Sequence, residues 1–232
     1  MFFYYADLLK IDFSLFLAFA GAVTFALLLG IAFHEFCHAL SASALGDPTA
    51  RRLGRVTLNP LAHLDPLGTL LLFLAGFGWG KPVPVNPYAL RNGPRTGMAV
   101  VAAAGPLSNL AIAALLAVPI RLDWTPWHSP FFVSGTAGWT LDDYVGLFLS
   151  AGVLLNSILA VFNLIPLAPL DGFKVAVGLL PVDLARPIAQ LERYGILILM
   201  LLFFLGPAVG INFFDVVVRP AVEGIAGALT GV

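Results

Sequence analysis

The sequence predicts an all-α polytopic membrane protein, a single membrane-embedded domain over residues 1–232. About four to six membrane-embedded helices are expected, with a small extended or β segment near residues 50–95. Composition is the first ground: 59% of the residues are hydrophobic and 11% are charged, against about 45–50% and about 25% in a soluble domain. The mean hydropathy of +0.94 agrees. The second ground is distribution, since apolar runs recur along the whole chain rather than forming one tail. The third is punctuation, with glycine, proline and charge clusters separating those runs.

The first apolar run, Ile11 to Leu45, reads as one long helix. About 35 residues at 1.5 Å each exceed the ~30 Å hydrocarbon core, so the helix must tilt, bend near Gly21 or Gly30, or project. Gly46-Asp47-Pro48 ends it, because glycine accepts a left-handed cap and proline cannot continue a helix. The run Leu67 to Trp79 is too short to span and reads as a half-helix or re-entrant segment. Prolines 82, 84 and 87 then allow only extended or edge-strand structure over Gly80–Pro87. A third run covers Thr96 to Ile120. The segment from Arg121 to Gly138, with Trp124 and Trp127, suits the headgroup level. A fourth run covers Trp139 to Leu167. Asp171 to Arg193 holds a short helix and a turn at Pro181, and a last run covers Gly195 to Val218 with a break at Gly206-Pro207.

Charge asymmetry orients these segments. If the first helix runs inward, Arg51, Arg52, Arg55, Lys81, Arg91, Arg95, Lys174, Arg186 and Arg193 all fall on the cytoplasmic side. Lys10, Arg121 and Arg219 fall outside. The N-terminus, with Phe2, Phe3, Tyr4, Tyr5 and Asp7, lacks the basic region and cleavage site of a signal peptide. A net charge of −1 and the lack of a dense basic stretch argue against nucleic acid as a partner. The single cysteine, Cys37, excludes an intrachain disulfide.

The chemistry gathers in His34-Glu35-Phe36-Cys37-His38. Residues i and i+4 share a helix face, so two imidazoles there can bind one cation at ~2.0–2.1 Å. Glu35 stands one step around the helix, where it can take a proton from attacking water. Ionisable groups in an apolar helix cost about 2.5–3.5 kcal/mol each when charged, which favours a functional reading over interfacial histidines that merely hydrogen-bond. A catalytic site normally needs a third ligand. His63, Asp65, His128 and Asp171 are the candidates. Asp171 is the best placed, because Pro166 and Pro169 break a membrane helix just before it and broken backbone at that depth must line a cavity or be buried in protein. The other reading of Asp171 is a helix cap. Cys37 reads as a small buried hydrophobe, and His63 as a loop histidine near Asn59 and Asp65, with a gating role as the alternative.

Three motifs in this order resemble the site-2 protease family of intramembrane zinc metalloproteases, in its compact prokaryotic branch. His34 to His38 is similar to the family's H-E-x-x-H, Gly105-Pro106-Leu107-Ser108-Asn109 to its G-P-x-x-N, and Asn163 to Gly172 to its N-x-x-P-x-x-P-x-D-G type segment. Leu53–Pro60 with His63, and Gly80–Asn86, are also similar to that branch. The resemblance implies one Zn2+ per chain held by His34, His38 and Asp171, with Glu35 as general base and then acid. It implies that Asn163 helps hold substrate or the oxyanion. Asn109 either lines the site or packs helices, as Gly105 also could. No insertion is long enough for the accessory domains some members carry. The implied activity is hydrolysis of transmembrane protein substrates within the bilayer of a prokaryotic inner or plasma membrane, with the site toward the cytoplasm. Lys81 to Asn86 could receive an unwound substrate as an added strand, through Val83 and Val85; a plain proline-rich turn is the alternative. A membrane transporter or a non-proteolytic scaffold remains a different class of reading, although a transporter would not need Glu35 beside paired imidazoles.

Overall fold

In the computed structural model the described residues are 12–75, 78–131, 135–210 and 212–232. The aromatic N-terminus and Lys10 lie outside them. Helix α1 is Phe13–Ala44, unbroken through Gly21 and Gly30 and about 48 Å long at 1.5 Å per residue. Asp12 caps its start, its Oδ1 accepting the N–H groups of Ser14 (2.9 Å) and Leu15 (3.2 Å). The far end stops at Leu45, with Gly46 at φ +106°, a conformation that L side chains rarely adopt.

A single helical turn, Thr49–Arg52, precedes α2, Pro66–Ala75. At ten residues, about 15 Å, α2 is half the length a span requires. The chain then runs extended through 81–86. The expected β character reduces to one antiparallel bridge, Leu64 to Gly80, with no named strand among the described residues. Pro82 and Pro84 explain this, since they remove the N–H groups a ladder would use.

Helices α3 (Pro94–Arg121) and α4 (Leu141–Asn163) complete a three-helix core with α1. Leu15, Phe19, Ala22, Val23, Ala26 and Leu27 of α1 pack on Leu147, Ala151 and Leu155 of α4. Alanines at this seam let the helices approach closely, the usual device where lipid removes the hydrophobic drive between helices. After α4 the chain breaks over Leu164–Leu170, which contains the cis Ala168–Pro169 bond. Short helix α5, Asp171–Leu179, then packs on α3.

Helix α6 runs Val182–Leu205, and α7 is Arg219–Thr230. Here the structure departs from expectation. The last apolar run does break at Gly206-Pro207, but the helix before the break begins at Val182 rather than Gly195. Asp183, Arg186, Glu192 and Arg193 depress the hydropathy of its first turns, which hides the continuity. Among the described residues four helices, α1, α3, α4 and α6, are long and apolar enough to cross a membrane. The chain is an all-α polytopic integral membrane protein.

Candidate metal centre

Two helices and a helix start build the centre. His34 and His38 lie one turn apart on α1, each 7% exposed. Asp171 opens α5 directly after the proline break, and its carboxylate turns toward them instead of capping its helix. His34 Nε2, His38 Nε2 and Asp171 Oδ2 form a triangle with sides of 3.0, 3.1 and 3.1 Å. Four tetrahedral bonds of ~2.0 Å place their donor atoms about 3.3 Å apart, so the triangle has the size of a zinc site.

The outer hydrogen bonds place a proton on each Nδ1, which leaves Nε2 of a neutral ring as the lone-pair donor. His38 Nδ1 lies 2.7 Å from the Val101 carbonyl. A carbonyl only accepts, so Nδ1 carries the proton. His34 Nδ1 lies 2.6 Å from Asn109 Oδ1. That amide is oriented by its other end, because Asn109 Nδ2 donates to the Gly30 carbonyl and to Asn156 Oδ1, each at 3.0 Å. His34 Nδ1 is therefore a donor as well. In their neutral forms both imidazoles then point bare Nε2 atoms at each other and at a carboxylate, an arrangement that a cation seated among them relieves.

Gly105 supplies the space. A Cβ there would lie 2.5 Å from His38 Nε2 and 2.6 Å from His34 Nε2, so any side chain would fill the ligand pocket. With that face of α3 bare, the Val101 carbonyl one turn earlier is reachable by His38. The donor set, two nitrogens and one carboxylate oxygen with no thiolate, fits zinc.

Relatives carry matching descriptions. The chain is 38% identical to the "Putative zinc metalloprotease YwhC" of Bacillus subtilis (strain 168) over 177 residues, covering 76% of this chain and 77% of that one. It is 32% identical to the "Putative zinc metalloprotease Rip2" of Mycolicibacterium smegmatis over 196 residues (82% and 69% of the two chains). Against the protein of the same description from Mycobacterium tuberculosis (strain H37Rv) it is 31% identical over 210 residues (87% and 74%). The chain belongs to the site-2 protease family. No family model matches it, and no solved structure matches it.

Other expected residues of this site-2 protease family member fall in different places. Asn109 is fully buried and spends its amide on His34, Gly30 and Asn156. It stands behind the metal ligand, with no exposed surface. Asn163 ends α4 with its Nδ2 bonded to the Leu159 carbonyl of its own helix at 2.9 Å, and it makes no hydrogen bond to His34, His38 or Asp171. Glu35 is partly buried beside the triangle, and a Cβ on Gly80 would lie 3.6 Å from its Oε1. Val83 is half-buried. Val85 packs against Ala42, Leu90 and Val101, which commits its side chain to the scaffold.

The remaining third-ligand candidates lie elsewhere. His63 is fully buried, its Nε2 donating to the Thr57 carbonyl at 2.8 Å. The anticipated partners Asn59 and Asp65 instead bond the Leu61 and Gly68 amides. His128 pairs with Asp143 at 2.9 Å and stacks on Trp139. Cys37 is a free, partly buried thiol outside the cluster. Sequence reasoning passed over Asn156 and the Val101 carbonyl. A lone amide inside an apolar span was the available signal for the first; nothing in a sequence marks a backbone carbonyl.

Proposed function

We propose that this chain is an intramembrane zinc endopeptidase that cleaves transmembrane protein substrates near the cytoplasmic side of the bilayer. The observation that carries the reading is the convergence of His34, His38 and Asp171 on one point, with Glu35 beside it, on and next to a helix long and apolar enough to cross a membrane. His34, His38 and Asp171 would hold one Zn2+ per chain. When bound, zinc supplies a Lewis acid that polarises the scissile carbonyl and acidifies water at the site.

This chain's residues do the rest. Glu35 accepts the proton of the attacking water and returns it to the leaving amine. Gly80 brings the extended segment past Glu35 without a side chain to shield it. Among the described residues the N–H groups of Val83 and Val85 have no partner, which leaves them to pair with the backbone of an unwound substrate. With Val85's side chain packed on the scaffold, recognition there runs through the main chain. Asn163 keeps a second Nδ2 hydrogen, free for a developing oxyanion. The cytoplasmic placement is supported by the arginines that follow α1, of which Arg51 and Arg52 are exposed.

The test is cleavage of a transmembrane substrate by purified protein in lipid vesicles. Glu35→Gln should retain about one zinc per chain while kcat falls by at least about 10²-fold. A Glu35→Gln protein that still cuts, or wild-type protein that cuts without metal, would sink the reading.

A further inference from the structure

Behind the metal-binding face lies a buried amide relay that the hydrolytic chemistry does not use. Asn156 Nδ2 donates to the Gly152 carbonyl of its own helix α4 at 2.9 Å. Since that carbonyl only accepts, Asn156 Oδ1 must face the other way, where it accepts from Asn109 Nδ2. The second hydrogen on Asn109 Nδ2 goes to the Gly30 carbonyl of α1, and Asn109 Oδ1 faces His34 Nδ1. Both asparagines are 0% exposed. Three helices thus meet at one chain of hydrogen bonds in which each orientation is dictated by the next.

The surrounding geometry keeps this relay dry and fixed. A Cβ on Gly30 would lie 2.9 Å from Asn156 Oδ1 and 2.7 Å from Leu159 Cδ1, so the amides occupy the space a side chain would need. Gly30 precedes His34 by one helical turn, and Gly105 precedes Asn109 by one turn on α3. The relay therefore sits one turn behind the ligand atoms. His38 has no share in it, its Nδ1 being held by the Val101 carbonyl.

We propose that Asn109 and Asn156 are positioning residues that lock His34 as its Nδ1–H tautomer and so set the zinc affinity of the centre. The proposal rests on the zinc reading above. A neutral imidazole left to itself distributes its proton between both nitrogens, and the Nε2–H form cannot bind the ion through Nε2. An amide oxygen aimed at Nδ1 removes that alternative. Asn156 acts at one remove: it engages Asn109 Nδ2 and so prevents the amide from turning its N–H groups toward the ring.

The experiment uses full-length protein in lipid nanodiscs. With 15N-labelled histidine the zinc-free protein gives a small set of imidazole signals, since the chain has 4 histidines. At alkaline pH, His34 and His38 should both read as Nδ1–H. Asn109→Leu should shift His34 toward a tautomer mixture, leave His38 unchanged, and weaken zinc binding by about 10–100-fold in chelator competition. Asn156→Leu should move both readouts in the same direction by a smaller factor.

The relay is overturned by an Nε2–H His34 in the wild-type spectrum, a reading that needs no variant to fold. It is also overturned by variants that keep wild-type zinc affinity, or that disturb His38 as much as His34, which would mark a packing role only. Failure of the zinc reading itself looks different: wild-type protein would then bind no zinc at all.

Discussion

Gly105 and Asn109 stand one helical turn apart on the same face of α3, and each removes a different obstacle to metal binding. The glycine leaves the ligand pocket empty, and the asparagine orients one of its rings. Gly105→Ala should therefore be costly out of proportion to its size. A methyl 2.5 Å from His38 Nε2 must displace the ring, so zinc affinity should fall by at least about 10-fold, as chelator competition would show. Wild-type affinity in that variant would mean that the two rings do not pack on this face of α3. The ligand residues were legible in the sequence, because histidine, glutamate and aspartate are rare in apolar helices and each demands a reason. The task of Asn109 was not legible. A neutral amide in a membrane helix fits substrate contact and helix packing equally well, and only the orientation of its two ends decides. Asn163 shows the converse: its motif points to the metal, while its side chain bonds its own helix.

At the scale of elements, the extended 81–86 segment is fastened at both ends. Arg55, 6% exposed, donates to the Lys81 and Pro82 carbonyls, and Lys81 N–H donates to the His63 carbonyl at 2.7 Å. At the other end Asp47, just past α1, accepts the Asn86 N–H at 2.7 Å. Hydrogen bonds from a charged group are worth about 1.5–3 kcal/mol each. Arg55→Leu should therefore speed hydrogen exchange of the Lys81 amide by at least about 10-fold and raise KM more than it lowers kcat. Unchanged exchange would show that Arg55 does not hold the segment. Burial alone would raise the Asp47 carboxyl, but the Thr49 hydroxyl, the Asn86 amide and the Thr49 amide hold it below its ordinary value. A depressed folded pKa gives stability that is complete above the unfolded value near 3.9 and is lost as pH falls through the lower folded value. Thermal unfolding across that acid range should be steeper with pH for wild type than for Asp47→Asn; equal slopes would contradict the assignment. An extended segment was legible from its prolines, whereas its fasteners were not, because Arg55 and Asp47 lie 26 and 39 residues away in sequence from Lys81 and Asn86.

Across the whole molecule, α1 is pinned at both ends. Asp12 caps its start and accepts the N–H and hydroxyl of Thr136, while Asp47 secures its end. The metal-binding residues lie toward the Asp47 end, the end that the proposed topology turns to the cytoplasm. In a Cys37→Ser background, a cysteine at exposed Arg52 should react with an impermeant maleimide only from the cytoplasmic side, and one at exposed Trp124 only from the opposite side. The reverse pattern would invert the topology. Helix α6 buries only 11% of its apolar stretch within the chain, against 44–56% for the other three spans. That contrast explains why its start was misplaced from sequence: few contacts within the chain fix it, and its first turns carry charge. The three-helix core was easier to read because its apolar runs are uninterrupted. All of this architecture serves one coordination sphere, and X-ray absorption at the zinc edge reads that sphere directly. The account predicts about one zinc per chain in a shell of nitrogen and oxygen at ~2.0–2.1 Å, with imidazole scattering from two histidines. A sulfur shell at ~2.3 Å, which only Cys37 or a methionine could supply, or protein that holds no zinc, would contradict it.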